Sequence, residues 1–366
     1  MATTSMIPVS RPSLSPEDIQ SVTDAVASGW VSSLGPHLER FEREFAEFCG
    51  VKHSVSTSNG TVALHLALKV LNIGAGDEVI VPDLTFVATA NAVMLAGATP
   101  VIADVRASDW CIDPDAVERL ISPRTRAIMP VHLYGHPCDM AALRAIAARH
   151  GLAIIEDAAE AHGAEYDGCR VGSLGDCGTF SFYGNKIITT GEGGMLTTNS
   201  DAIAERARFL RDHGMSKELR YWHTEVAYNY RMTNLQAALG ASQLARIAEF
   251  LEQRDRILES YRRQLEPAGI TMNPVSATVR PVNWITCALV PDITREQRDL
   301  IIAGLKEDGI DTRPFFYPLT ALPMYAREGN TVAHDLSARG INLPTYPGLE
   351  DADITHIADA LLRLIQ

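Results

Sequence analysis

Short apolar runs and stretches of helical periodicity alternate along most of the chain up to about residue 200. The runs DEVIVP, TPVIADV, TRAIMPVHLYG and LAIIEDAAEA are separated by VATANAVMLAG, DPDAVERLI and MAALRAIAARHG, whose apolar positions recur at the spacing of one helix face. Such alternation predicts an α/β fold, a mainly parallel sheet covered by helices on both faces. Ahead of it, IPVSRPSLSP is proline-rich and extended. The next stretch, SPEDIQSVTDAVASG, has Ser15 as N-cap, Pro16 and acids in the first turn and a closing glycine, the signature of a helix.

Beyond residue 230 the stretch TNLQAALGASQLARIAEFLEQRDRILESYRRQL reads as one long amphipathic pattern that carries the chain out of its first domain. After it come the apolar run NWITCALV, a helix near 295–308 and the closing helical pattern DITHIADALLRLI. At 366 residues the chain exceeds the size at which one core stops growing. The expectation is a large domain over 1–250 and a smaller C-terminal α/β domain over 251–366. Internal repeats, low-complexity segments and long linkers are absent from the sequence.

Charge and composition narrow the function classes. A formal charge of -13 repels nucleic acid and anionic membranes, and no lysine- and arginine-rich run opposes it, so a nucleic acid partner is not expected. Local arginines and helix N-termini can still bind an anionic small molecule. No apolar run approaches the roughly 20 residues of a membrane span. The start MATTSMIPVS lacks a basic, then hydrophobic, leader, so the expected compartment is the cytoplasm. The six cysteines are scattered and form no C-x-x-C pair, which reads as free thiols in a reducing environment.

Ligands of open α/β sheets bind beyond the carboxyl ends of the strands, and three segments bring suitable groups there. In STSNGTVALHLAL, the N–H groups at Gly60 and Thr61 and the Thr61 hydroxyl can hold a phosphate where a helix begins, or the turn can simply cap the helix. In AIIEDAAEAHG, the adjacent acids Glu156 and Asp157 point to opposite faces of a strand, so one of them at most enters a given site; Asp157 can instead cap the next turn. Glu160 follows. In GTFSFYGNKIITTGEGGM, Ser181 and Lys186 lie between an aromatic strand and a glycine-rich turn. Lys186 is either a solvated loop charge or an amine held in a poorly solvated place, where desolvation frees its lone pair for attack on a carbonyl. A phosphate cradle, a carboxylate and an amine are the parts of a pyridoxal phosphate site. His132, His136, Asp139, Asp157 and His162 could ligate a metal, but neither H-E-x-x-H nor a helical H-x-x-x-H occurs among them, and no metal is expected.

Nearly the whole chain, from IPVSRPSLS to RGINLPTYPGL, resembles the DegT/DnrJ/EryC1/StrS sugar aminotransferases, which are fold type I pyridoxal phosphate enzymes. The resemblance is carried by SGWVSSLG, SNGTVALHLAL, PVHLYGHPCDM, GNKIITTGEGGM, YNYRMTN, TRPFFYP and GINLP. It looks most like the branch that aminates GDP-4-keto-6-deoxymannose with L-glutamate as amino donor. By motif, Lys186 falls where the family has the lysine that binds the cofactor's aldehyde carbon, and Asp157 where it has the partner of the pyridine nitrogen. Gly60, Thr61 and Ser181 match phosphate contacts, Phe86 an aromatic ring stacked on the cofactor, and Glu160 a glutamine or glutamate near the ring's phenolic oxygen. Asn229 of YNYRMTN matches an asparagine that reaches the phosphate from a neighbouring subunit, which implies a homodimer with shared sites. Tyr183 stands where that branch usually has phenylalanine and other members histidine. A related dehydratase branch has histidine in place of the lysine, so Lys186 implies transamination. Trp30, Tyr183, Arg313 and Tyr317 are the candidates for sugar-nucleotide contacts; the residues leave open whether the ketone is at C4 or C3 and which nucleotide carries it.

Overall fold

The structure, a computed structural model, describes residues 6–366. Seven strands form its main sheet: β1 (His53–Thr57), β2 (Glu78–Pro82), β3 (Thr99–Ala103), β4 (Thr125–Ile128), β5 (Ala153–Asp157), β6 (Cys177–Ser181) and β7 (Gly194–Thr198). Their order is β1-β7-β6-β5-β4-β2-β3, and β7 alone runs against the others. Each apolar run named above holds one of β2 to β5, and each helical stretch between them forms a helix: Ala88–Leu95, Pro114–Leu120 and Met140–His150.

Strands β2 to β5 carry short continuous apolar runs, Val79–Val81 in β2, Val101–Ala103 in β3, Ala127–Ile128 in β4 and Ile154–Ile155 in β5, because both faces of the sheet are buried. Neighbouring residues alternate between two cores. Ile80, Ile154 and Met195 enter one, packed with Phe41, Phe45 and Phe180, whereas Val79, Ile155 and Leu196 enter the other, packed with Leu64, Leu68 and Val93. The first helix, Pro16–Ala27, starts with a reciprocal cap: the Ser15 hydroxyl accepts from Asp18 N–H at 3.3 Å and the Asp18 carboxylate accepts from Ser15 N–H at 2.9 Å.

The long amphipathic stretch after residue 230 is two helices, Asn234–Ala245 and Ile247–Leu265, separated at Arg246 (φ -108°, ψ 6°). The break has a packing cause. The first helix lies against the helices Pro16–Ala27 and Pro36–Cys49, while Arg246 turns aside to meet Asp18 at 3.3 Å. The second helix starts in the main core with Ile247 and Phe250 and ends with Ile257, Tyr261 and Leu265 in a separate core. That core belongs to an antiparallel four-stranded sheet ordered Thr271–Met272, Thr286–Leu289, Gly340–Leu343 and Arg313–Pro314, covered by the helices Arg295–Glu307 and Asp351–Leu364. The N-terminal arm returns to this part of the chain through the pairing of Ile7 with Ile310. Among the described residues no helix is long and apolar enough to cross a membrane.

Candidate active site

A cavity of about 530 Å³ opens beyond the carboxyl ends of β5 and β6. It is walled by the turn after β1, the segment after β2, the loop after β6 and, from the second sheet's part of the chain, Trp284 and Phe316. Gly60, Thr61, Phe86, Asp157, Glu160, Ser181, Tyr183 and Lys186 all line it.

The helix Gly60–Val70 begins at the cavity wall. Asn59 caps it, its side-chain oxygen accepting from Val62 N–H at 3.0 Å, while the N–H groups of Gly60 and Thr61 find no acceptor among the described residues. Those two donors are the positive end of the helix, aimed at the cavity. Glycine at 60 is a steric requirement, since a Cβ there would stand 2.8 Å from Ser181 Cβ. The close approach brings the Ser181 hydroxyl to the same turn. A carbonyl from YNYRMTN holds that turn from behind, Tyr230 accepting from Ser58 N–H at 2.8 Å.

The two acids that end β5 divide as the strand pleat requires. Glu156 turns away from the cavity and is saturated: its carboxylate accepts from the N–H groups of Gly172, Leu174 and Gly175 at 2.7–2.8 Å and meets His132 Nε2 at 3.1 Å. Asp157 turns into the cavity. Its Oδ2 accepts from the Thr89 hydroxyl at 2.8 Å and its Oδ1 from Ala159 N–H at 3.2 Å. Burial raises its pKa, against the lowering effect of those two hydrogen bonds and of Lys186. Thr89 was not singled out by sequence reading. Its hydroxyl lies 3.1 Å from that of Thr85, which stands ahead of the helix Ala88–Leu95, but only the fold aims it at Asp157.

Lys186 is an interior amine, its side chain 11% exposed. The loop that carries it is tied by Lys186 N–H to Tyr183 O and Thr190 N–H to Phe182 O, both at 2.9 Å, and by Phe182 N–H to Gly193 O at 2.8 Å. Nζ stands 3.8 Å from Glu160 Oε1 and 4.0 Å from the centre of the Trp284 ring. Burial lowers the lysine's pKa, opposed by the charges of Glu160 and Asp157. Burial pushes the Glu160 carboxyl up to about 7, although Lys186 and the Tyr134 N–H, 2.8 Å from Oε2, both favour its charged form.

Phe86, 56% exposed, lies 5.7 Å from Phe316, centre to centre, on one wall of the cavity. Tyr183 lies at the mouth, also half exposed. Four candidates do not line the cavity of their own chain. Asn229 is on the surface, its side-chain oxygen accepting from Arg231 at 3.2 Å. Of the other three, Trp30 is half exposed and its backbone carbonyl accepts from Asn234 at 2.8 Å, Arg313 bonds Asp311 and the Thr312 carbonyl, and the Tyr317 ring lies 4.6 Å from the Arg295 guanidinium. Among the described residues no group of three or more His, Cys, Asp and Glu side chains is placed to hold a metal ion.

The parts present fit a phosphorylated pyridine aldehyde. Unpaired N–H donors and a hydroxyl suit its phosphate, a buried acid suits a protonated ring nitrogen, an interior amine suits its aldehyde, and an exposed aromatic face suits its ring.

Comparison with known proteins agrees with the geometry. Residues 12–362 match the DegT/DnrJ/EryC1/StrS aminotransferase family. The chain is 47% identical to a GDP-perosamine synthase of Caulobacter vibrioides, covering 98% of each, and 44% identical to one of Vibrio cholerae, covering 97% of this chain and 98% of the other. Among solved structures, Spr1654 of Streptococcus pneumoniae, described as a sugar aminotransferase and solved in a PLP-form, superposes with a TM-score of 0.94 at 29% identity, covering 98% of each chain.

The raised carboxyl of Glu160 has a measurable consequence. Between its ordinary value of 4.5 and about 7 the folded, cofactor-free chain binds a proton that the unfolded chain has released, so this group's contribution to stability is complete below pH 4.5 and lost as pH rises through 7. Urea unfolding of the cofactor-free chain at pH 5 and pH 8 should show wild type losing roughly 2–3 kcal/mol more over that interval than Glu160→Gln. Equal losses would mean that Glu160 titrates as an ordinary surface carboxyl.

Proposed function

The chain belongs to the DegT/DnrJ/EryC1/StrS aminotransferase family, and we propose that it uses pyridoxal phosphate to move the amino group of L-glutamate onto the keto carbon of a nucleotide-linked sugar, GDP-4-keto-6-deoxy-D-mannose, giving GDP-perosamine. The observation that carries the reaction type is the interior amine of Lys186, 3.8 Å from Glu160 in the cavity that also holds Asp157 and the open N–H groups of Gly60 and Thr61. What supports the sugar nucleotide is the 44–47% identity, over nearly the full chain, to proteins named GDP-perosamine synthase.

When bound, pyridoxal phosphate supplies an aldehyde that takes up amino groups and a ring that withdraws electrons from the carbon bearing the nitrogen. The chain's own residues do the rest. Gly60 and Thr61 N–H and the Ser181 hydroxyl bind the phosphate. Asp157 holds a proton on the ring nitrogen by keeping a negative charge opposite it, and the Thr89 hydroxyl keeps Oδ2 from rotating away. Lys186 Nζ, lowered in pKa by its burial, takes a proton from the substrate's amine-bearing carbon and delivers it where the product needs it. Phe86 offers its exposed ring as the face on which the cofactor ring would stack, with Phe316 beside it on the cavity wall.

We further infer a homodimer with shared sites, in which Asn229 reaches the phosphate of the neighbouring chain. Its surface position outside its own cavity supports this, as do the exposed apolar residues Tyr221, Trp222 and Val226 just before it. Six free cysteines fit a reducing compartment, and we place the enzyme in the cytoplasm.

Purified protein supplied with L-glutamate and a panel of GDP- and dTDP-linked 4-keto and 3-keto sugars should convert GDP-4-keto-6-deoxymannose, with the 4-amino product identified by mass spectrometry and NMR. Conversion of a 3-keto sugar alone would reassign the substrate, and no conversion of any would overturn the activity.

Asp157→Asn should still bind pyridoxal phosphate, while single-turnover reaction with glutamate slows by orders of magnitude at saturating substrate, because the charge that keeps the ring nitrogen protonated is gone. A normal chemical step with only weaker cofactor binding would make Asp157 a binding contact.

Mixing Lys186→Ala and Asn229→Ala subunits should rebuild one competent site per mixed dimer and raise activity above that of either variant alone. Absence of any recovery would show that each chain builds its site from its own residues.

A further inference from the structure

Trp284 was not among the residues that the sequence marks for function, yet it is the ring nearest the amine on which the proposed reaction turns. It precedes the strand Thr286–Leu289 of the second sheet, and 7% of it is exposed. Each edge of it is held. The indole N–H donates to the Asn185 carbonyl at 2.8 Å, the ring lies nearly parallel to Tyr134 at 6.2 Å and 20°, and the Trp284 carbonyl accepts from the buried Arg254 guanidinium. Because Asn185 immediately precedes Lys186, one side chain fixes the backbone at the base of the lysine and receives the tip of the same lysine on its face, 4.0 Å from the ring centre.

We propose that the face of Trp284 is the resting place of the Lys186 ammonium whenever the amine is not bonded to the cofactor, which makes Trp284 a positioning residue of the transamination. The inference rests on the role given to Lys186 above. A lysine released during turnover has a flexible four-carbon stem and a strongly hydrated head, and without a holder it swings toward water. Among the described residues Nζ has no acceptor at hydrogen-bond distance. The charges facing it are Glu160, with Oε1 at 3.8 Å, and Asp157; His162 packs behind with its own pKa lowered to about 3 by burial. An aromatic face attracts the ammonium through the negative charge over its ring but has little hold on the neutral amine. The holder therefore lets go when the lysine gives up its proton, with no directional bond to break. That property suits an amine that must alternate between storage and reaction.

The test is the protonation midpoint of Lys186 in the cofactor-free full chain, read from the pH dependence of its acetylation by trace acetic anhydride and quantified at the Lys186 peptide by mass spectrometry. The ring favours the charged amine, so Trp284→Met should lower the midpoint by about half a pH unit to one unit, and Trp284→Phe by less. Should the methionine variant fail to fold, protein made with mono-, di- and trifluorinated tryptophan keeps the shape of the ring while draining its face, and the midpoint should fall stepwise with fluorine number. A midpoint that stays at the wild-type value in the fluorinated series overturns the proposal and leaves Trp284 a packing residue. Uptake of pyridoxal phosphate, followed by its visible band, is scored separately: a chain that never takes up the cofactor refutes the role given to Lys186, whereas normal uptake with an unshifted midpoint refutes the holder alone.

Discussion

Removing the Lys186 ammonium from bulk water is the constraint around which the site is arranged. Burial penalises the charged amine, and the same burial raises the pKa values of the two acids that would stabilise it, Asp157 and Glu160. The three groups bias one another's charge at a distance, since the nearest carboxylate oxygen stands 3.8 Å from Nζ, beyond hydrogen-bond reach. The amine is thus neither locked into a salt bridge nor exposed. A group in that condition can lose its proton at modest cost, which is what a nucleophile and proton carrier needs.

The main sheet supplies the geometry by fixing which way its strands face. Glu156 is gripped on the far side of β5 by three backbone N–H groups and His132, and with Glu156 fixed the pleat leaves Asp157 facing the cavity. The neighbouring strand β6 is in register with it, Asp157 beside Thr179, so that Ser181 falls just beyond the end of β5. The closeness of Gly60 to Ser181 then brings the start of a helix to the same place. A saturated structural acid on one face therefore orients a functional acid on the other, and the cost of burying Glu156 is offset by its hydrogen bonds.

The second sheet completes the cavity from outside. Phe316 and Trp284 form the wall opposite β5 and β6, and Tyr134, stacked between them, donates its N–H to Glu160 and accepts a hydrogen bond from Phe316 N–H at 3.0 Å on its hydroxyl. Tyr134 itself sits at φ 51°, followed by Gly135 at φ 96°, where a Cβ would meet the Val282 carbonyl at 1.9 Å. The tightness of that junction couples the two parts of the chain at the point where the lysine and its acids meet.

The alternation of apolar runs and helical stretches determined the layered sheet and its helices, because strand and helix periods are local properties that a few neighbouring residues express. Motif order likewise placed Lys186, Asp157, Glu160, Ser181 and Gly60 at strand ends, where an open α/β sheet keeps its ligands. The break at Arg246 was invisible to periodicity, since both helices share one apolar rhythm and only the two cores they join demand a change of direction. Trp30, Arg313 and Tyr317 lie in suggestive motifs and stand outside the cavity of their own chain, the Trp30 carbonyl bonded to Asn234, Arg313 to its near neighbour Asp311 and the Tyr317 ring against Arg295, a placement that local motifs do not express. Thr89 as the support of Asp157, and Trp284 and Phe316 as walls, were decided by tertiary structure alone. A hydrogen bond across 68 positions or a ring brought 98 positions along the chain to an amine leaves no trace in local spacing, because it is created by how the sheets pack and not by how either is written.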